Sequence, residues 1–430
     1  MKTILLGLNE LNFQYIKYYV KKGHLKNFNI LFNNGIIETE SESKYDLLEP
    51  WIQWVTVHTG MTFDEHQIFH LGDITIRKDL MQIFEELESK GKIIGAVSPF
   101  NVDNRLSNAA FFVPDPWTVT HTTGDVLLKV LSQTISKLVN NNASGKLSLG
   151  NIPALLLGFL KYVPLARYTH YLSLALKIKK AGVKAVILDS LLSDITISLL
   201  KKKKLDFCNL FLNSGAHIQH HYLFNSAPYE GPLKNPSWYC SDNWDPLFLI
   251  LKEYDNTIGR LLDLKDIKLI AATGLHQQAH KHQTYYWRLK NHTQFLKEID
   301  CSFSRVIPRM SRDFLIEFSN IEEAENCQNI LESYKMQNND EGIFKVDNKG
   351  ESLFVELVYS NPIDENDKIY SNIDENKEVN NFKSHLAFVA IKNGEHNGLG
   401  YLTSNFNLNL GKKIQLAEVN SLLKRTVLES

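Results

Sequence analysis

The sequence predicts an α/β fold with a mostly parallel central sheet flanked by helices. Apolar runs of strand length lie at residues 3–8 and 205–212. Near the start of the chain a strand, a helix and a second strand follow one another, which is the order found in parallel sheets. The length of 430 residues suits one large α/β domain with insertions, or two to three domains.

The first two elements are predicted from local signals. Asn12 follows the apolar run at residues 3–8 and is a suitable N-cap for a helix that Gly23 ends. Asn9 and Glu10 then lie at the carboxyl end of the first strand, which is the edge where such sheets bind ligands. They are candidate site residues, with helix capping as the alternative.

The bulk composition limits the classes of function. Hydrophobic residues make up 43% and charged residues 22% of the chain, and the net charge of -1 gives no overall attraction to nucleic acid or anionic lipid. Four scattered cysteines fit a reducing compartment. The most apolar window, residues 152–160, is too short to span a bilayer, and the first residues lack the pattern of a signal peptide. We therefore expect a cytoplasmic protein without an integral membrane segment.

A helix is predicted over residues 51–59, since Pro50 suits its first turn. The N-terminus of a helix that faces the strand ends is suited to binding an anion. Thr56 and Thr59 are then candidate substrate-binding hydroxyls. The alternative is that this helix only packs in the core.

Three histidines follow the apolar run that ends at residue 212. If the segment after Gly215 is helical, His217 and His221 share a face at i, i+4, and His220 neighbours His217 at i, i+3. Helical metal sites and imidazoles that move protons use this spacing. The alternative is three ordinary polar surface residues.

A second histidine-rich segment begins at His276. His276 and His280 at i, i+4, together with His282, would form a site for zinc or another transition metal. Alternatively, Arg288 and neutral imidazoles would form a metal-free cradle for a phosphate or carboxylate. A polar loop without a ligand is the third interpretation.

A series of short stretches, in a fixed order along most of the chain, resembles a known family. The stretches are Gly7-Leu8-Asn9, Gly23-His24-Leu25 with residues 27–31, Trp54 with Thr59-Gly60, Glu65-His66, residues 92–97, Gln219-His220, residues 255–262, residues 268–273 and residues 394–398. The sequence resembles the alkaline phosphatase superfamily, and within it the branch of type I phosphodiesterases and nucleotide pyrophosphatases. The resemblance implies an alkaline phosphatase-like fold. It also implies two metal ions, usually zinc, and phosphoryl or sulfuryl transfer through a covalent intermediate on a Thr, Ser or Cys nucleophile.

Most metal and nucleophile positions of that family are changed here. By resemblance, the first carboxylate, the nucleophile and the two later carboxylates correspond to Asn9, Pro50, Ala216 and Gly274. Only His220 and His396 keep the residue type of the family. Loss of the carboxylates weakens binding of divalent cations. The histidines gained in the same regions indicate new chemistry rather than decay.

Two insertions in the core are predicted. Residues 118–204 form a mainly helical block with a polar break at 140–145, which by resemblance is a cap that shapes the substrate pocket. Residues 313–385 form a small α+β lobe. The remaining segments are the first part of the core, its second part and its end, at residues 1–117, 205–312 and 386–430.

The leading prediction is an enzyme with a remodelled site that hydrolyses or transfers a group on a phosphorylated metabolite, a nucleotide sugar or a glycan intermediate. Zinc or another divalent transition metal is the expected cofactor. The expected partner is a small phosphorylated or sugar-linked substrate, and not nucleic acid. The alternative is a non-catalytic relative that binds a phosphorylated ligand or scaffolds a glycan-synthesis pathway.

The candidate site residues fall into three groups. Candidate catalytic residues are His217, His220, His276 and Glu10. Candidate metal ligands are His217, His220, His276 and His396. Candidate substrate-binding residues are Asn9, Thr56, Thr59, His280 and Arg288.

Overall fold

The computed structural model describes residues 1–140, 152–309, 312–374 and 376–429. Its helices are α1 (Phe13–Lys21), α2 (Lys26–Phe32), α3 (Pro50–Thr59), α4 (Phe63–His66), α5 (Ile83–Ser89), α6 (Val126–Asn140), α7 (Ile152–Tyr162), α8 (Tyr168–Ala175), α9 (Val183–Lys202), α10 (Ser214–Tyr222), α11 (Pro246–Leu262), α12 (His292–Glu298), α13 (Ile321–Ser333) and α14 (Glu418–Leu428).

The strands are β1 (Lys2–Leu8), β2 (Ile36–Glu40), β3 (Ile94–Val97), β4 (Phe111–Val113), β5 (Phe207–Leu212), β6 (Ile267–Ala272), β7 (His276–Leu289), β8 (Arg305–Pro308), β9 (Asp313–Glu317), β10 (Tyr334–Met336), β11 (Phe344–Asn348), β12 (Ser352–Leu357), β13 (Ile369–Ser371), β14 (Glu378–Val379), β15 (Leu386–Asn397), β16 (Leu399–Ser404) and β17 (Lys413–Gln415).

An eight-stranded sheet forms the centre of the fold, in the order β17-β2-β16-β6-β1-β5-β3-β4. β1 runs parallel to β5 and β6, β3 is parallel to β4 and β5, and β17 is parallel to β2. Among the described strands of this sheet, only β16 is antiparallel to its neighbours. The predicted fold class, α/β with a mostly parallel central sheet, is confirmed. The pairing places the carboxyl ends of β5, β1 and β6 side by side.

Helices cover both faces of this sheet. Along β1, Ile4 and Leu6 join a buried cluster with α1, α2, α9 and α11, whereas Leu5 joins a second cluster with α3, α5 and α14. Successive side chains of a strand point to opposite faces, so a strand buried on both faces must be apolar throughout. This requirement explains the unbroken apolar runs in the sequence.

Local signals placed several element ends correctly. The side chain of Asn12 accepts a hydrogen bond from the Gln14 backbone N–H and caps α1, as predicted. Pro50 occupies the first turn of α3, and Gly60 ends that helix with a φ of 75°. These signals depend on neighbouring residues alone, so they can be interpreted without the tertiary fold.

The chain divides into two compact units, residues 1–279 with 394–430, and residues 280–393. The smaller unit contains an antiparallel sheet in the order β11-β12-β9-β8 and a second one in the order β10-β13-β14. In the larger unit, α9 contributes side chains to the same buried cluster as β1.

The finer division of the chain into five segments stays a prediction. Residues 141–145 of the predicted polar break lie outside the described residues. Of the helices described, none combines the length and apolar character needed to cross a bilayer.

Candidate active site

Glu10 lies directly after β1 in a conformation that side chains other than glycine rarely adopt, with a φ of 58°. Its N–H donates to the carbonyl of Thr273 (3.0 Å), and its carbonyl accepts from the N–H of Gln277 (3.0 Å). The side-chain amide of Gln219 also donates to this carbonyl, at 2.8 Å. Such a turn costs about 1–3 kcal/mol and persists only when surrounding contacts hold it. Here those contacts come from the region after β6 and from α10.

Two histidines from distant parts of the chain meet the carboxylate of Glu10. Its Oε2 atom is 3.0 Å from Nε2 of His220 and 3.1 Å from Nε2 of His396, and the two Nε2 atoms are 3.2 Å apart. His220 lies on α10 and His396 near the end of β15. Across the described ranges, this is the group of three His, Cys, Asp or Glu side chains placed to hold a metal ion.

The electrostatics of Glu10 favour the ionised carboxylate. The residue is 2% exposed, and burial by itself raises the pKa of its carboxyl group. The charges of His396 and His220, with the hydrogen bonds from both rings, outweigh burial and hold this pKa below its usual range. Glu10 is therefore available as an anionic metal ligand or as the partner of a shared imidazole proton.

Side-chain amides fix the Glu10 carboxylate in place. The amide of Asn9 donates to Oε1 at 2.9 Å, and that of Gln277 donates to Oε2 at 2.5 Å. The oxygen of Asn9 accepts from the indole N–H of Trp54 (2.8 Å), and its nitrogen also donates to Asn213 (2.7 Å). The side chain of Asn9, which was predicted to bind substrate, is thus hydrogen-bonded to Glu10, Trp54 and Asn213.

Glu49, the residue directly before α3, also lies beside the site. Its Oε2 atom is 3.9 Å from Nδ1 of His396, within ion-pair distance. Glu49 lies on the Nδ1 side of this ring, and Nε2 is the ring atom that faces Glu10 and His220. The candidate site residues predicted from the sequence did not include Glu49, Gln219 or Gln277. The position of Glu49 directly before Pro50, the family's nucleophile position by resemblance, was a usable signal.

Two predicted metal ligands lie outside the group of Glu10, His220 and His396. His217 is exposed on α10, and its ring centre is 4.8 Å from that of His221. His276 is buried, its Nδ1 atom is hydrogen-bonded to the carbonyl of Leu399, and burial lowers its pKa.

The helical spacing assumed for His276 and His280 is wrong, because this segment forms the strand β7. His280 and Arg288 belong to the smaller unit, where Nδ1 of His280 accepts from the backbone N–H of His282 at 3.2 Å. A role for His280 and Arg288 in substrate binding stays a prediction.

Thr56 and Thr59, the other predicted substrate-binding residues, are engaged within or beside α3. The hydroxyl of Thr56 lies 3.2 Å from Nε2 of His66, and the hydroxyl of Thr59 donates to the carbonyl of Val55 at 2.8 Å. These contacts satisfy both hydroxyls inside the fold. Substrate binding by them also stays a prediction.

The N-terminus of α10, the helix that carries His220, is held by a buried aspartate. Asp189 on α9 accepts from the backbone N–H of Ser214 (2.9 Å) and from the hydroxyl of Tyr254 (2.5 Å). The same hydroxyl accepts from the N–H of Gly215 at 2.9 Å. Burial raises the pKa of Asp189 to about 6.

Asp189→Asn keeps the shape of this residue and removes its titration. The native pKa of about 6 lies above the unfolded value of about 3.9, so the native state binds more protons between these values. The free energy of unfolding therefore falls as the pH rises through this window. Between about pH 4 and pH 7, we expect the free energy of unfolding of the wild type to fall by roughly 2–3 kcal/mol relative to that of Asp189→Asn. Urea unfolding at a series of pH values measures this difference. A difference that does not vary with pH would contradict a titrating Asp189.

Solved structures with a similar course of the chain were found by comparison. They include phosphonoacetate hydrolase from Sinorhizobium meliloti 1021 in complex with phosphonoformate, at 12% identity and a TM-score of 0.47, covering 99% of this chain and 96% of that one. Murine ectonucleotide pyrophosphatase/phosphodiesterase 5 has 10% identity and a TM-score of 0.43, and the match covers 100% of this chain and 95% of that one. Alkaline phosphatase from the Antarctic bacterium TAB5 has 11% identity and a TM-score of 0.42, covering 99% and 97%.

Each of these comparisons covers nearly the whole of both chains. At identities of 10–12% and TM-scores below 0.5, these likenesses carry no information on substrate or mechanism. No protein-family model matches the sequence, and no curated protein sequence matches it.

Proposed function

We propose that this protein is a metal-dependent hydrolase of small phosphorylated compounds. The observation that carries the proposal is the convergence of Glu10, His220 and His396 at the carboxyl edge of a parallel sheet. Two imidazoles and one carboxylate form a ligand set of catalytic zinc and other transition-metal sites, in which further positions stay open for water or substrate. The resemblance of the sequence to phosphodiesterases supports the choice of a phosphorylated substrate.

The spacing of the three ligand atoms fits one metal ion. They lie 3.0 to 3.2 Å apart. Around an ion with bonds of about 2.0–2.1 Å, neighbouring ligand atoms stand roughly 2.9–3.4 Å apart, for angles between octahedral and tetrahedral. Bound there, an ion would act as a Lewis acid and promote ionisation of water.

One ion, rather than the pair implied by the family resemblance, suits the remaining residues. Ala216 and Gly274 carry no ligand atom in their side chains. The oxygen of Asn9 is occupied by the indole N–H of Trp54 at 2.8 Å. Glu10 supplies one negative charge, which neutralises part of the charge of a single divalent cation.

The residues present favour direct attack by water over a covalent intermediate. Pro50, at the position of the family's nucleophile by resemblance, has no nucleophilic atom. Glu49 and Glu10 are carboxylates on opposite sides of the His396 ring, at 3.9 and 3.1 Å. We assign to Glu49 the role of orienting the His396 ring from its Nδ1 side, because Glu10 and His220 face Nε2 on the other side.

The proposal predicts hydrolysis of a phosphate ester by purified protein. The protein would first be treated with a chelator and then resupplied with Zn²⁺ or Mn²⁺. It would then be incubated with one of three substrates: p-nitrophenyl phosphate, bis(p-nitrophenyl) phosphate or a nucleotide sugar. We expect release of product that depends on metal, and at least about a hundredfold loss of kcat/KM in His396→Ala. His217→Ala is the matched control, because its imidazole is exposed on α10. Activity that persists without metal or in His396→Ala would contradict the proposal.

The second candidate function is binding of a phosphorylated ligand without catalysis. Pro50 favours it, because proline has no nucleophilic atom. This alternative predicts that phosphate esters raise the Tm of the metal-loaded protein without being consumed. Chromatography of the ligand after the Tm measurement separates the two functions. Intact ligand with a raised Tm supports binding alone.

A further inference from the structure

Several leucines of the larger unit point away from the core on α7, on α8 and on the turn between them. Leu160, Leu165 and Leu176 are 63%, 79% and 81% exposed. Leu156, Leu157 and Leu172 are also exposed. Large contiguous apolar surfaces are rare on monomeric soluble proteins and mark sites of interaction with proteins or membranes.

The spacing of these leucines places them on common faces. Leu156 and Leu160 are four residues apart on α7, and Leu172 and Leu176 are four residues apart at the end of α8. The two helices contact each other, since the ring centre of Phe159 lies 4.9 Å from that of Tyr171. The exposed leucines therefore belong to adjoining helices.

The inner faces of the same helices are fixed to the core. A Cβ atom at Gly158 would lie 2.7 Å from the side chain of Leu131 on α6, so α7 and α6 are in close contact. Tyr162 and Leu174 are buried in the cluster that includes β1. Because the inner faces are already packed, the outer leucines cannot be buried by rotating α7 or α8.

The charge of this region differs from that of the whole protein. Residues 126–204 contain thirteen Lys or Arg and only two Asp, in a chain with a net charge of -1. Both aspartates, Asp189 and Asp194, are buried. Lys177 and Lys179, directly after α8, and the run at residues 201–204 after α9 are exposed. The solvent-facing charges described here are therefore basic.

We propose that α7, α8 and the lysines around them form a docking surface for an anionic lipid membrane. Exposed leucines bordered by lysines match the interfacial mode of binding, in which apolar side chains enter the acyl boundary and cations meet anionic headgroups. A second copy of the chain fits less well, because two basic surfaces would face each other. The inference is independent of the proposed catalytic function.

Flotation of the full-length protein with vesicles tests this surface. We expect binding to phosphatidylcholine vesicles with about 30 mol% phosphatidylglycerol, and at least about tenfold weaker binding to pure phosphatidylcholine or at about 1 M salt. The quadruple variant Leu156→Ser, Leu160→Ser, Leu172→Ser and Leu176→Ser should bind about tenfold more weakly than the wild type. The double variant Lys177→Glu and Lys179→Glu should bind weakly and lose its dependence on anionic lipid.

The matched control carries Ile76→Ser and Val119→Ser, two exposed apolar residues elsewhere, at 76% and 91% exposure. It should bind vesicles like the wild type, and circular dichroism should show all variants folded. Absence of wild-type binding to anionic vesicles would overturn the proposal. So would equal binding by the leucine variant and the control, or a dimer in light scattering that dissociates only in the leucine variant.

Discussion

Purified protein is expected to contain about one equivalent of a divalent transition metal per chain, and Glu10→Ala and His220→Ala are expected to lose it. The ligand atoms of Glu10, His220 and His396 face one another within 3.2 Å. Even loss of an outer partner of a metal ligand lowers metal affinity by about 10- to 100-fold, so loss of a ligand should cost more than about a hundredfold. Elemental mass spectrometry of untagged protein measures the stoichiometry.

His217→Ala and His276→Ala are the controls for this measurement. His217 is exposed and His276 is bonded to the carbonyl of Leu399, so neither substitution removes a ligand of the proposed ion. Both variants should keep about one equivalent. Two equivalents in the wild type, or loss of metal in the controls with retention in Glu10→Ala, would refute the assignment of ligands.

Gly394→Ala is expected to destabilise the protein and to disrupt the metal site together. A Cβ atom at residue 394 would lie 2.1 Å from Oε1 of Gln277 and 2.9 Å from the backbone oxygen of Gln219. Gln277 holds the carboxylate of Glu10, and Gln219 holds its carbonyl. The backbone at residue 394 must therefore shift, or the amides that support Glu10 must move.

We expect a loss of about 1–3 kcal/mol in the free energy of unfolding of Gly394→Ala, the usual cost of overpacking, measured in urea. The content of bound metal should fall in the same variant. Gly411→Ala is the matched control in the same unit, since the nearest atom to its Cβ would be the Lys413 oxygen at 3.8 Å. Equal stability and equal metal content of the two variants would show that the close packing around residue 394 does not support the site.

The elements that frame the site were predictable from short stretches of sequence. β1, α3 and β5 were predicted with ends within two residues of those observed. Their signals are local: an unbroken apolar run, a proline in the first turn and a glycine after the last. His220 and His396 were singled out because they keep the residue types of a known family.

The grouping of the ligands was not predictable in the same way. Glu10 was proposed as a catalytic residue and not as a metal ligand, and His276 was placed in the site by assuming a helix where β7 forms. The error has a physical cause. Histidines at i, i+4 meet on a helix but are far apart along a strand, and the pairing of a polar strand depends on distant partners.

The sequence by itself determined the α/β class, the positions of the first buried strands along the chain, and the residue types available at their carboxyl ends. Only the tertiary structure decided which of them meet. Glu10, His220 and His396 are separated by 210 and 176 positions. They converge because β1 pairs with β5, which precedes His220, and with β6, which also pairs with β16 shortly after His396. The tertiary structure also decided which leucines of α7 and α8 stay exposed, because the inner faces of both helices are taken by the core. Both outcomes depend on long-range packing, which local propensities and spacing do not encode.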